Sequence, residues 1–173
     1  MQHAILSVMH QTYERFRARG GLWVMAQMLL IPGMLAVLLW LRISGAEIGW
    51  VQWLRMPAMI IGCTLLVAAA ALLAAAVLNL GRSLTAFPRP LQSGTLVVHG
   101  AYALVRHPIY TSIILAVLGV ALVLPSTVGL VFTAVTFVFF DRKAAHEERM
   151  LTNVYSEYAE YRRRVHKLIP LLY

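Results

Sequence analysis

Of the 173 residues in this chain, 60% are hydrophobic and 13% charged, whereas a soluble domain holds roughly 45–50% apolar and about 25% charged residues. No soluble core of this size absorbs that apolar surface, so lipid is the expected solvent and one membrane domain over residues 1–173 the expected organisation. The net charge of +8 is set in blocks flanking apolar runs, which suits anionic headgroups and argues against a nucleic-acid partner.

Residues 1–19 are polar and basic, and the first apolar run, Leu22–Leu41, covers about 30 Å as a helix, one hydrocarbon core. It is longer than the roughly 7–15 residues of a signal-peptide core and lacks a small-residue cleavage pattern, which predicts a retained span. A second run, Leu54–Leu80, is alanine-rich (Ala68–Ala71, Ala74–Ala76), and small side chains let helices approach closely in lipid, so it is expected to pack centrally. Its single cysteine, Cys63, excludes an intrachain disulfide. These two spans make up residues 1–82; residues 83–173 should carry the functional half.

That half opens with a polar connector, Ser83–Arg106, broken by Pro88, Pro90, Gly94 and Gly100. Pro108 then starts an apolar stretch interrupted at Pro125-Ser126. This predicts two helices, Ile109–Leu124 and Pro125–Phe140, joined by a tight hairpin, the second running on past Asp141. In the tail, Leu151, Val154, Tyr155, Tyr158, Tyr161 and Val165 recur at helical spacing, as expected of an amphipathic helix at the headgroups. The fold class is therefore all-α: a polytopic membrane protein with about four transmembrane helices and a C-terminal amphipathic cytoplasmic helix.

Lysines and arginines orient such a bundle. Arg15, Arg17, Arg19, Arg82, Arg89, Arg106 and all seven in the tail fall on one side of a four-span arrangement; Arg42 and Arg55 fall on the other. Both termini and the connector should be cytoplasmic.

Two polar clusters stand out: Arg106-His107-Pro108-Ile109-Tyr110, where the hairpin enters the membrane, and His146-Glu147-Glu148, beyond where it leaves. Each alone is explained by interfacial anchoring. A hairpin returns to its starting side, however, so the two should be neighbours. Carboxylates beside a half-buried arginine and histidine suit a charged small molecule. His3, His10, His99 and His166 show no metal-ligand spacing, so no metal is expected, and nucleotide-cradling glycine motifs are absent.

The stretch from Gly100 through Tyr102 and Arg106-His107-Pro108-Ile109-Tyr110, followed by Glu147-Glu148-Arg149-Met150-Leu151, Tyr155, Tyr158, Tyr161, Arg164-Val165 and Ile169-Pro170, resembles the isoprenylcysteine carboxyl methyltransferase family. Leu80–Ser83 and Phe87–Pro90 look like its bacterial members, whose place would be the inner membrane. Ser112 stands where the family pattern has glycine, and Val154-Tyr155-Ser156 replaces its phenylalanine-glycine. The resemblance implies an integral-membrane methyltransferase that uses S-adenosylmethionine and a lipophilic acceptor, with a carboxylate as the expected acceptor group. The implied cofactor contacts are His107, Pro108, Tyr110, Glu147 and Glu148. Arg106 and Arg142 are the candidates for orienting the acceptor carboxylate, because a guanidinium grips a carboxylate through two hydrogen bonds. Two other readings stay open on sequence: a membrane reductase using NADPH, since sterol reductases share a similar R-H-P-x-Y region, and a non-enzymatic helical scaffold.

Overall fold

The structure, a computed structural model, describes residues 10, 13–14, 20–46, 50–81 and 96–173. Expectations that rest on Arg15, Arg17, Arg19, Arg82, Ser83 and Phe87–Pro90 lie outside the described residues. Among the described residues regular structure is helical throughout: α1 (Gly21–Ser44), α2 (Gln52–Leu80), α3 (Ala101–Leu104), α4 (Pro108–Val123), α5 (Thr127–Val154) and α6 (Tyr158–Arg164).

Two helices, α1 and α2, have mean hydropathies of 2.1 and 2.6 and are long enough to cross a bilayer, yet only 11% and 17% of their most apolar windows are buried. A helix in a soluble core would bury most of that length, so these outward faces fit lipid contact. Gly45 ends α1 in a left-handed conformation, φ 68°, as a helix-terminating glycine does.

Helix α2 is not the central helix its small residues predict: among the described residues it packs along one face on α3 and α4, and α4 is the helix that lies between α2 and α5. Ala58, Gly62, Ala69 and Ala76 form its buried stripe. Gly62 meets Gly119 of α4 so closely that a Cβ on Gly62 would stand 2.7 Å from the Gly119 carbonyl oxygen. At the other end of α2, the Asn79 side-chain oxygen accepts a hydrogen bond from the Ala101 N–H (2.8 Å) and so holds the start of α3. Gly100, at φ 62°, leaves room for this contact; a Cβ there would lie 2.2 Å from the Asn79 oxygen.

The hairpin closes at Ser126, which caps α5 by accepting from the Gly129 N–H (2.9 Å). Helix α5 then continues unbroken past Asp141 to Val154, and α1 runs antiparallel to it. Trp23 meets Phe139 (ring centroids 5.5 Å apart), and Thr136 donates to the Met34 sulfur (3.7 Å).

The tail differs from the single amphipathic helix expected. It stops at Tyr155, which is extended (φ −115°, ψ 113°), and resumes as the seven-residue α6. The reason lies in what the break allows. In a straight helix Arg162 would sit about 21 Å beyond Glu148. Here one guanidinium, that of Arg106, bonds both the Glu148 carboxylate (2.8 Å) and the Arg162 carbonyl (3.2 Å). Folding back buries Tyr158 and Tyr161, whose hydroxyl donates to the Tyr102 carbonyl (2.6 Å).

Candidate functional site

Pro108 supplies the first helical residue of α4 and leaves His107 just outside it. The chain around them is stitched to the tail. The Arg106 N–H donates to the His166 carbonyl (2.8 Å), the His107 N–H to Lys167 (3.2 Å), and the Thr111 hydroxyl to Leu168 (2.8 Å). The two polar clusters do meet, as the hairpin argument requires.

Glu148 is the inner carboxylate, its side chain 5% exposed. It accepts from Arg106 Nε (2.8 Å) and from His107 Nε2 (3.1 Å), which places the imidazole proton on Nε2, because a carboxylate can only accept. Burial alone would raise its pKa. The hydrogen bonds and charges of His107 and Arg106 win and bring it down to about 2. Arg106 is equally committed: besides Glu148 it bonds the carbonyls of Arg162 and Val165.

Glu147 is the outer carboxylate, 23% exposed. It accepts from the Tyr110 hydroxyl (2.8 Å) and lies 3.7 Å from His107 Nδ1. The Tyr110 ring stacks on His107 at 5.3 Å with planes 1° apart, and its other neighbour is Phe140 at 4.9 Å. Two further phenols border the cluster. Burial and the Glu147 charge push Tyr102 up to about 12. Burial, then Glu148, hold Tyr158 higher still, and its buried hydroxyl has no hydrogen-bond partner among the described residues.

Arg142 is exposed and stays outside this cluster. Its neighbour Lys143 enters instead. Only 2% exposed, Lys143 donates to the Gln27 side-chain oxygen of α1 (2.6 Å), and its ammonium lies 5.0 Å from the Tyr110 ring centroid. It forms no ion pair among the described residues. Burial draws its pKa down, against the opposing charge of Glu147. Sequence reasoning passed over both Lys143 and Gln27. The available signal was helical phase: at 3.6 residues per turn, position 143 lies about 40° from position 147 around the helix, and position 142 about 140°.

On the membrane side of Gln27 and Tyr110 lies a cavity of about 460 Å³. Ile31, Met34, Leu66, Ile113 and Phe132 are among its apolar walls, and Ser112 is the polar exception. The Ser112 hydroxyl is spent on the Ile109 carbonyl (2.7 Å), so it presents little polarity there. A pocket of this size with apolar walls and polar groups beyond one end suits a lipophilic ligand with a polar head.

Residues 57–158, from early α2 to the start of α6, match the model of the phospholipid methyltransferase family. The chain belongs to that family. The match encloses both clusters and the hairpin between them. Over 79 residues the chain is 34% identical to a probable protein-S-isoprenylcysteine O-methyltransferase of Oryza sativa subsp. indica, covering 44% of this chain and 41% of that one. It is 37% identical over 79 residues to the protein-S-isoprenylcysteine O-methyltransferase of Schizosaccharomyces pombe, covering 44% and 34% respectively. A cobalt-zinc-cadmium resistance protein of Cupriavidus metallidurans is 33% identical over 82 residues, 47% of this chain and 38% of that one. The matched stretch thus spans well under half the length of each of these relatives. Membership in the phospholipid methyltransferase family agrees with the resemblance carried by the R-H-P-x-Y and E-E segments.

Proposed function

We propose that this protein transfers a methyl group from S-adenosylmethionine to the carboxylate of a lipophilic acceptor at the cytoplasmic membrane surface. The observation that carries this reading is the unequal pair Glu147 and Glu148. Glu148 is consumed by Arg106 and His107, whereas Glu147 keeps a partly open face beside two stacked rings. An open carboxylate next to aromatic faces and the Tyr158 phenol, unpartnered among the described residues, fits the ammonium and sulfonium of that cofactor. When bound, the cofactor supplies an electrophilic methyl group, and the protein's task is alignment.

In this reading Glu147 accepts from the cofactor's ammonium, His107 and Tyr110 flank it, and Pro108 fixes the turn that presents them. Glu148 and Arg106 hold the site's frame. The acceptor-orienting cation is Lys143, with Arg142 too exposed for the part and Arg106 already engaged. A buried ammonium whose partners among the described residues are an amide oxygen and ring faces gains most from an incoming anion. Acceptor chains would occupy the apolar cavity and arrive laterally from the bilayer. An uncharged CH₂ group loses roughly 0.8 kcal/mol on leaving apolar surroundings, which favours that route over water. Four spans with both termini cytoplasmic place the site accordingly.

Calorimetric titration of the purified protein with S-adenosylmethionine, S-adenosylhomocysteine and NADPH tests this. The first two should bind and NADPH should not. Glu147→Gln should weaken S-adenosylhomocysteine about tenfold to a hundredfold, the loss of one charge-assisted hydrogen bond. Binding of NADPH alone, or wild-type affinity in Glu147→Gln, contradicts the proposal.

A further inference from the structure

On the tail side of Glu148, away from Lys143, lies a second hollow of about 440 Å³. Its cations are not all neutralised. Arg106 is paired with Glu148, and Lys167 with Asp141. The side chains of Arg149, Arg163 and His166 make no hydrogen bond or ion pair among the described residues, and Arg162 reaches Glu148 only at 3.6 Å, with 60% of its side chain exposed. The Glu148 charge is already shared between two closer partners, so the hollow presents an excess of positive charge that nothing in the proposed methyl transfer uses.

An independent feature adjoins it. Tyr173 lines the hollow and belongs to a tight turn in which the Leu168 and Ile169 N–H groups both donate to its carbonyl (2.8 Å each). The turn requires Leu171 at φ 64°, a left-handed conformation unfavourable for a branched side chain. What it achieves is display: Leu171 is 88% and Leu172 80% exposed. The turn also sits at a defined depth. The Tyr173 hydroxyl donates to Asp141 (3.0 Å), the first charged residue after the apolar part of α5, and its ring lies 6.2 Å from Phe137, one turn deeper. Two bare leucines are thus at the level where acyl chains meet headgroups, with the unpaired arginines on the water side of them.

We propose that this hollow and the Ile169–Tyr173 turn form a binding site for an anionic phospholipid, the arginines taking its phosphate and the turn its acyl chains. The site is distinct from that of the methyl acceptor and does not depend on methyl transfer. Arginine forks suit phosphate oxygens, and each basic side chain at an anionic surface contributes about 1 kcal/mol.

The test uses the whole protein in a neutral detergent at low salt, titrated separately with dihexanoylphosphatidylglycerol, dihexanoylphosphatidylcholine and inorganic phosphate. Phosphatidylglycerol should bind well above phosphatidylcholine and weaken with salt. Arg149→Gln/Arg163→Gln should weaken it roughly thirtyfold, the effect of two such charges. Leu171→Ser/Leu172→Ser should weaken phosphatidylglycerol while leaving phosphate unchanged. Circular dichroism and thermal unfolding check that each variant is folded, and Arg163→Gln alone serves if the double variant is not. Equal binding of the two lipids, or wild-type phosphatidylglycerol affinity in the arginine variant, overturns the proposal. Phosphate binding as tight as phosphatidylglycerol, with no effect of the leucine changes, identifies a free-anion site and overturns it too.

Discussion

Glu148 illustrates how a single buried carboxylate ties the fold to pH. Its pKa falls from 4.5 to about 2 in the folded protein, because its hydrogen bonds from His107 and Arg106 outweigh the effect of burial. A group depressed in this way contributes its full stability above the unfolded value and loses it as pH falls through the folded one. Stability should therefore drop by on the order of 3 kcal/mol between about pH 4.5 and pH 2. Unfolding by sodium dodecyl sulfate in a neutral detergent, followed across that range, measures it. Glu148→Gln should be less stable at pH 7 and should lose this part of the acid dependence, keeping the part due to Asp141, whose pKa, against the effect of burial, Lys167 and Tyr173 also lower. At Lys143 the expectation concerns specificity: Lys143→Met should raise KM for a long-chain carboxylate acceptor at least tenfold, with S-adenosylhomocysteine affinity unchanged. Lys143→Arg should recover part of the loss, since a guanidinium also pairs with a carboxylate. Steady-state kinetics beside calorimetry read both. A lysine without such a role would leave KM unmoved. The residues at this scale divided by the distance their partners required. Arg106, His107, Tyr110, Glu147 and Glu148 were legible because one hairpin alone brings them together. Lys143 and Gln27 were not, because their meeting depends on where α1 docks, which no local pattern encodes.

Among the elements, the contact of α2 with α4 leaves no room for a side chain. A side chain at Gly62 must displace backbone rather than a flexible neighbour, as a Cβ there would meet the Gly119 carbonyl at 2.7 Å and the Val123 N–H nitrogen at 2.9 Å. Gly62→Val should thus destabilise the protein by about 1–3 kcal/mol through overpacking, whereas the same change at Gly33, which has nothing within 4 Å, should be mild. Thermal unfolding of the two variants in one detergent compares them. The apolar runs, the hairpin and the continuation of α5 past Asp141 were readable from periodicity and from Pro108 and Pro125. The break at Tyr155 was not. Leu151, Val154, Tyr158 and Tyr161 keep helical spacing across it, and the chain turns because Tyr161 and the Arg162 carbonyl have partners behind it, the Tyr102 carbonyl and the Arg106 guanidinium. Those partners are remote in sequence, so periodicity alone predicted a straight helix.

For the molecule as a whole, the skew of thirteen lysines and arginines against Arg42 and Arg55 predicts four spans with both termini cytoplasmic. Reporter fusions at Gly45 and after Tyr173 should report opposite sides of the membrane; a shared side would overturn the four-span arrangement. The Arg106 guanidinium has a consequence of another kind, in time. It joins residues 42, 56 and 59 positions apart in sequence, while each helix and the Ser126 hairpin close over far shorter stretches. Short loops close first and long ones last, and inserted helices pack only after they have formed. The helices and the hairpin, with the Glu148 contacts it makes, therefore precede the clamp, and until the tail has folded back neither the bonds from Arg106 to Arg162 and Val165 nor the seam from Arg106 to Thr111 exists. A newly made chain should pass through a stage in which its helices and its paired carboxylates are already assembled while the tail is still unlatched.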